Sequence, residues 1–405
     1  MDINLILLFS SFLMGLYVAW NIGANDAANS MGSAVGAKAI TFKQAILIAS
    51  ILTFVGATFI GSHVTDTVRK GIVDPAFIKD PEVAIIGFIS ALLASGLWIT
   101  FATWKSLPIS TTHSIIGSLI GFGLIYGGID MVNWLKVGEI TLAWITSPIF
   151  AGLLAFIIFK FIVKFILKSR NRRKAAAISS PFFIIITVSI IFFSLMFKTK
   201  LGSLLQGDKL LFAVFIAILT IVSLWLWNRQ LTKKVGRVER IFRRLQVMTS
   251  AYMAISIGAN DVANAVGPVA AIYSIIKTGE MGSHVAVPVW LLAFGGIGIA
   301  LGISTWGYRV IQTIGSKITK LSNTRGFTID FSAATSVLIA SKLGMPVSTT
   351  HAVVGAVVGI GLAKGLDAID LGVVRKIIYS WFLTVPVTAL LTIPVYLCLM
   401  KLFKP

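Results

Sequence analysis

The sequence predicts an all-α polytopic membrane protein: about twelve transmembrane segments, arranged as two inverted repeats with broken or re-entrant helices. Three observations predict it. The 405 residues are 57% hydrophobic and only 12% charged, with a mean hydropathy of +0.92, whereas a soluble domain carries about a quarter charged residues. Apolar stretches approaching span length recur along the whole chain. Two motifs occur twice, in the same order. YVAWNIGANDAANSMG (Tyr17 to Gly32) matches YMAISIGANDVANAVG (Tyr252 to Gly267), and LPISTTHSIIG (Leu107 to Gly117) matches MPVSTTHAVVG (Met345 to Gly355). The copies are offset by 235 and 238 positions, so the chain is an internal duplication.

The first half has apolar segments near 3–22, 44–62, 83–103, 109–127 and 139–163. The first of these lacks the basic start of a secretory signal, and its relative lies deep in the chain, so it belongs to the fold. Two further segments, near 181–197 and 210–227, separate the halves. The second half repeats the pattern near 246–272, 285–304, 328–343, 347–363 and 376–400. The expected organisation is a first repeat over 1–165, basic cytoplasmic loops flanking a two-span linker over 166–244, and a second, inverted repeat over 245–405. Several motif-bearing segments are short or interrupted by Gly, as expected of broken helices or hairpins.

The net charge of +20 is not a nucleic-acid footprint. Much of it lies in two clusters, one from Lys160 to Lys174 and one from Arg229 to Arg244, that bracket the central pair of spans. Positive charge of this kind marks cytoplasmic loops. The first half then ends inside and the second begins inside. An odd number of crossings per half makes the halves antiparallel, with both termini outside. Inverted repeats whose broken helices meet near the midplane are a secondary-transporter architecture. The single cysteine, Cys398, stands in an apolar run and forms no internal disulfide. No G-x-x-x-x-G-K-[ST] run occurs, so this chain carries no sign of ATP drive.

The motifs carry the chemistry. A helix starting after Pro108 points free N–H groups, with the hydroxyls of Ser110, Thr111 and Thr112, at one spot. Those N–H groups and the helix dipole favour an anion. Ser348, Thr349 and Thr350 form a second such cradle, and inverted repeats let the two face each other. A compact tetrahedral oxyanion, phosphate or sulfate, suits the pair. Intramembrane Asp costs about 2.5–3.5 kcal/mol on insertion scales and marks function by default. Asp26 and Asp261 are matched, each preceded by an amide, Asn25 or Asn260, that can donate to an anion. Asn29 and Asn264 lie one helical turn further on.

A carboxylate beside phosphate is repulsive in low dielectric. A proton or an oxygen-ligated hard cation between them resolves this. Sodium at Asp26 and Asp261, with Asn29, Asn264 and Asp330 as further candidate ligands, couples the two ions. The plain structural readings are that the Ser–Thr runs cap membrane helices and that Asp26 caps a broken one. His113 and His351 read as orienting residues, and His63 and His284 as loop or interface residues.

The paired GAND-x-AN and P-[IV]-STTH motifs resemble the inorganic phosphate transporter family, over roughly 1–165 and 245–405. The resemblance implies twelve spans, an inverted repeat and phosphate bound between the halves. It points to Asn25, Asp26, Asn260 and Asp261 as the Asn–Asp site residues, and to Ser110, Thr111, Thr112, Ser348, Thr349 and Thr350 as the phosphate-binding hydroxyls. Relatives often carry Glu at the place of Asp330. Animal relatives carry Glu where Thr53 stands here, and a large soluble central loop that this chain lacks.

The expected function is sodium-coupled symport of inorganic phosphate by alternating access, in the cell membrane. Proton coupling, metal-phosphate or sulfate transport is the alternative. No catalysis and no cofactor are expected. The partners are phosphate, sodium or protons, and the bilayer, with a second copy of the chain allowed and nucleic acid excluded. An intramembrane aspartyl protease would leave the Asn residues and Ser–Thr cradles without a role, and its G-x-G-D motif is absent. A passive anion channel would need no cation.

Overall fold

The computed structural model describes residues 3–73, 80–196, 218, 221, 225, 238–278, 286–311, 322–364 and 371–403. The linker segment expected near 210–227 and His284 fall largely or wholly outside these residues.

The first half contains α1 (Ile3–Gly36), α2 (Phe42–Ile60), a short α3 (Ser62–Lys70), α4 (Pro81–Trp104), α5 (Thr111–Gly127) and α6 (Trp134–Phe161). A π-helical turn, Ile162–Leu167, leads from α6 toward α7 (Arg172–Met196). The second half contains α8 (Val238–Thr278), α9 (Val289–Trp306), α10 (Asn323–Lys342), α11 (Thr349–Lys364) and α12 (Leu371–Phe403). Local sequence sets several starts. Thr41 and Gln44 form a capping box on α2, Asp80 caps α4 ahead of Pro81, and Asn133 caps α6.

The breaks fall before the two STTH runs. The two GAND runs lie inside continuous helices, α1 and α8. Asp26 therefore caps no helix end. Hydropathy ends the first segment near residue 22, yet α1 runs to Gly36. The added residues are mostly polar or small and are buried from Gly23 to Ala34, so lipid exposure does not constrain them. Among the described residues, seven helices are long and apolar enough to cross a membrane, α1, α4 and α9 among them.

Basic residues orient the molecule. Lys160 to Lys174, from the end of α6 to the start of α7, and Arg240, Arg243 and Arg244 at the start of α8 share the face that the positive-inside rule assigns to the cytoplasm, the inner face. Arg243 Nε donates to the Ala39 carbonyl at 2.7 Å, which brings the α1–α2 link to that face. Asn133 N donates to the Ile72 carbonyl at 2.9 Å, joining the end of α3 to the start of α6 on the outer face. Helices α4 and α5 form a hairpin that enters from outside. Its tip meets the second half: Arg309 Nη1 donates to the Trp104 carbonyl at 3.3 Å. Helix α10 starts at the inner face, where Thr324 Oγ1 donates to Glu239 at 2.8 Å. The α10–α11 hairpin thus enters from inside, and Thr67 Oγ1 of α3 donates to the Gly344 carbonyl at its tip, at 2.6 Å. The two hairpins are inverted copies.

The halves interleave. Helix α1 packs on α9, and α2 packs on α8. A Cβ on Gly23 would strike the Ile299 carbonyl, and one on Gly302 the Trp20 carbonyl. The matched contact places Gly258 on the Thr53 carbonyl and Gly56 on the Ile255 carbonyl. Small residues let these backbones approach, which is how membrane helices gain packing energy without a hydrophobic effect. The hairpin return helices lean on the opposite half too: α5 through Gly117 and Gly121 on α12, and α11 through Gly355 and Gly359 on α6.

Candidate functional site

The GAND face of each long helix meets the start of a hairpin return helix. Ser110 caps α5, its Oγ accepting from His113 N at 3.2 Å, and Ser348 Oγ accepts likewise from His351 N at 3.3 Å. Each Ser keeps its hydroxyl proton to donate. The first-turn N–H groups of Thr111, Thr112, Thr349 and Thr350 have no intrahelical acceptor. Two donor-rich helix starts therefore come together between the halves.

Asn25 and Asn260 fasten the loops that aim these helices. Asn25 Nδ2 donates to the Thr103 hydroxyl at 2.9 Å and the Leu107 carbonyl at 3.1 Å, and its Oδ1 accepts from Ile109 N at 3.2 Å. Asn260 Nδ2 donates to the Val347 carbonyl at 2.7 Å and to Asp261 at 2.6 Å, and its Oδ1 accepts from Val347 N at 3.3 Å. The sequence suggested these amides as anion donors. In this structure they are engaged with protein.

The aspartates sit directly behind the cradles. Thr111 Oγ1 donates to Asp26 at 2.9 Å, and Thr349 Oγ1 donates to Asp261 at 3.3 Å. The other threonines cross the pseudo-two-fold axis: Thr112 Oγ1 donates to the Val347 carbonyl and Thr350 Oγ1 to the Ile109 carbonyl, both at 3.1 Å. Asn29 Nδ2 lies 2.9 Å from both Asp26 Oδ1 and Thr350 Oγ1, and Asn264 Nδ2 donates to Thr112 Oγ1 at 3.1 Å. The six Ser and Thr residues of the two cradles, the four asparagines and the two aspartates are each no more than 2% exposed, so the site is closed to both faces.

Two further features bear on ions. Asn29 Oδ1 and Asn264 Oδ1 are buried and have no hydrogen-bond donor. A buried carbonyl oxygen without a donor is costly unless something else occupies it, and oxygen is the ligand a hard cation takes. Among the described residues, no cluster of three His, Cys, Asp or Glu forms. The site offers hydroxyl, amide and single carboxylate oxygens, a set suited to a hard monovalent cation more than to zinc.

Asp330 lies apart from this pair. It accepts from Ser33 at 2.6 Å and Ser250 at 2.5 Å, and Gln246 Nε2 donates to Ser33 at 3.4 Å. The cluster joins the end of α1, the start of α8 and the first half of α10, on the cytoplasmic side. Ser33, Gln246 and Ser250 escaped the sequence reading because their places in the other repeat hold Pro268, Ser11 and Gly15. Trp144 and Trp381 escaped it too, although their offset of 237 falls between the two motif offsets. Thr53 is fully buried with its hydroxyl unpartnered. Cys398 is exposed on α12.

A duplicated, antiparallel membrane bundle with two buried, donor-rich helix starts backed by carboxylates has the build of a transporter. The phosphate transporter family model matches residues 22–392, and the chain belongs to that family. It is similar to a provisionally named phosphate permease of Pyrococcus furiosus, 51% identical over 98% of this chain and 97% of that one. It is also similar to a chloroplast inorganic phosphate transporter of Arabidopsis thaliana, 38% identical over 96% of this chain and 71% of that one. A solved structure described as the sodium-dependent phosphate transporter superposes with a TM-score of 0.90 at 43% identity, covering 98% of this chain and 99% of the other. The protein is a multi-pass membrane protein of a transporter family and not an enzyme.

Proposed function

We propose that this protein couples inward phosphate movement to sodium by alternating access. The observation that carries the reading is the shared hydroxyl on each side, Thr111 on Asp26 and Thr349 on Asp261. Each threonine belongs both to a helix start that attracts an anion and to a carboxylate that repels one. A sodium ion at each carboxylate, held also by Asn29 Oδ1 or Asn264 Oδ1, removes the repulsion. Phosphate then accepts from the Ser110 and Ser348 hydroxyls and from the first-turn N–H groups of α5 and α11. Neither ion binds well alone, which is the thermodynamic condition for coupling.

The sodium-dependent transporter that this chain resembles at 43% identity supports sodium over protons. Asp330, with three polar neighbours on the cytoplasmic side, is a separate cation station in this scheme. The test is uptake of labelled phosphate into proteoliposomes under an imposed sodium gradient at fixed pH. Sodium-stimulated uptake that excess sulfate fails to block is expected. Uptake indifferent to sodium but driven by a pH gradient would replace the sodium assignment with a proton. Current without cation dependence would make the protein a channel.

A further inference from the structure

At the pseudo-two-fold axis, four aromatic side chains form a clasp behind the cradle. His113 Nδ1 lies 3.3 Å from the Trp381 carbonyl, and His351 Nδ1 lies 3.4 Å from the Trp144 carbonyl. Each histidine packs on the tryptophan of its own half, with ring centroids 3.7 Å apart for His113 and Trp144 and 3.5 Å for His351 and Trp381. The two imidazoles meet edge to face, 4.6 Å apart. A carbonyl only accepts, so both Nδ1 atoms carry the proton. Pro148 explains one acceptor. It has no N–H, so the Trp144 carbonyl lacks its helical donor four residues on, and His351 fills the place.

Most contacts around the axis come in matched pairs. The histidine–carbonyl bonds are one pair. Thr112 on Val347 and Thr350 on Ile109 are another, and Thr111 on Asp26 and Thr349 on Asp261 a third. Among the described residues, the indole contact lacks its mate. Trp144 Nε1 donates to the Pro346 carbonyl at 3.1 Å, whereas Trp381 Nε1 is buried with no acceptor. Pro346 opens the second STTH run, and the matched residue is Pro108. Asn29 shows the same bias: its amide reaches Asp26, Thr349 and Thr350, while that of Asn264 reaches Thr112. Through Trp144 and Asn29 the first half grips the second hairpin by bonds, to Pro346 and Thr349, that Trp381 and Asn264 do not return.

In an inverted repeat, the oppositely facing state arises when the halves exchange conformations. A contact made on one side only is then the contact that changes hands. We propose that the two indoles alternate. Trp144 holds the Pro346 carbonyl in the closed state described here, and Trp381 takes the Pro108 carbonyl in the state with the conformations of the two halves exchanged. The orphaned Trp381 N–H is the unused half of this exchange. Both tryptophans are positioning residues: they set which cradle helix is gripped and touch neither ion. The inference rests on alternating access but does not depend on which cation drives transport.

The test replaces each indole by 3-benzothienylalanine, an isostere with sulfur in place of N–H, in a Cys398→Ser background. Oxidative cross-linking of Asp66→Cys with Leu343→Cys reports contact at the outer tip. Lys105→Cys with Tyr308→Cys reports contact at the inner tip. Losing one net hydrogen bond shifts a two-state balance by roughly fivefold. The ratio of outer to inner cross-linking rates should move by that amount in opposite directions for positions 144 and 381, and return to the parent value when both are replaced. Shifts in the same direction, or no shift at either position, would overturn the exchange. Parent cross-linking rates that ignore sodium and phosphate would instead sink alternating access itself.

Discussion

Asn29 reaches across the axis, and its amide touches a carboxylate of its own helix and two hydroxyls of the other half. Residues of this kind make the site a joint property of the two repeats. The threonines divide the labour. Thr111 and Thr349 face the carboxylates, so Thr111→Val or Thr349→Val should raise the sodium concentration for half-maximal uptake along with the KM for phosphate. Ser110→Ala and Ser348→Ala remove a hydroxyl that caps a helix and that, in the proposed scheme, donates to phosphate. They should raise the phosphate KM by roughly tenfold or more with little change in sodium dependence, since a hydrogen bond to a charged group is worth about 1.5–3 kcal/mol. Equal effects of the two classes on both ions would undo this division. Asp26→Asn and Asp261→Asn keep the side-chain shape and delete the charge. Uptake that no longer rises with sodium is expected for both, read as initial rates over a sodium series. The matched Asp, Ser and Thr positions were legible because both motif copies are quoted almost letter for letter in the chain. The engagement of Asn25 and Asn260 with the hairpin loops was not, because no spacing reveals that their hydrogen-bonding partners lie some eighty residues further on.

Helices α1 and α8 run unbroken through their polar motifs, and the breaks come at the STTH runs. Sequence reading located both motifs and left broken helices and hairpins open. It could not tell which motif interrupts a helix, since Gly and Ala serve equally at a kink and in a tight interface. The glycines resolve it. Gly23 and Gly258 each press on a backbone carbonyl of the other half, so they are seams between helices and not hinges within one. Gly23→Ala should lower the melting temperature of the purified protein and its folded yield, because overpacking a tight contact costs about 1–3 kcal/mol. Alanine at Gly138 in α6, where a Cβ meets nothing within 4 Å, is the control and should lower neither, since an unhindered helical Gly is less stable than Ala by about 0.5–1 kcal/mol. A melting temperature equally tolerant of both changes would mean that the α1–α9 seam has slack.

The whole molecule is nearly, but not fully, symmetric. The hydrogen bonds Tyr17 to Thr100 and Tyr252 to Thr335 recur at a common offset. At that offset Asp330 corresponds to Ser95, so the polar cluster near the cytoplasmic face has no outer twin. Asp330→Ser should therefore act on one face only: the sodium dependence of transport measured from the inner face should weaken, and that from the outer face should hold. Equal changes on both faces in oriented proteoliposomes would remove Asp330 from any vectorial role. This asymmetry was invisible in the motifs, which report only what the halves share.

The interleaved seams also constrain how the protein is made. Helices α1 and α2 leave the ribosome long before α8 and α9, the helices whose backbones they touch. Until the second half inserts, Gly23, Gly56 and Asp26 face neighbours that do not yet exist, and the first hairpin lacks α12 beneath it. Neither repeat can finish folding alone in the bilayer. Synthesis must reach the middle of α12, where Val385, Thr388 and Ala389 support α5, before the first hairpin has its full set of neighbours.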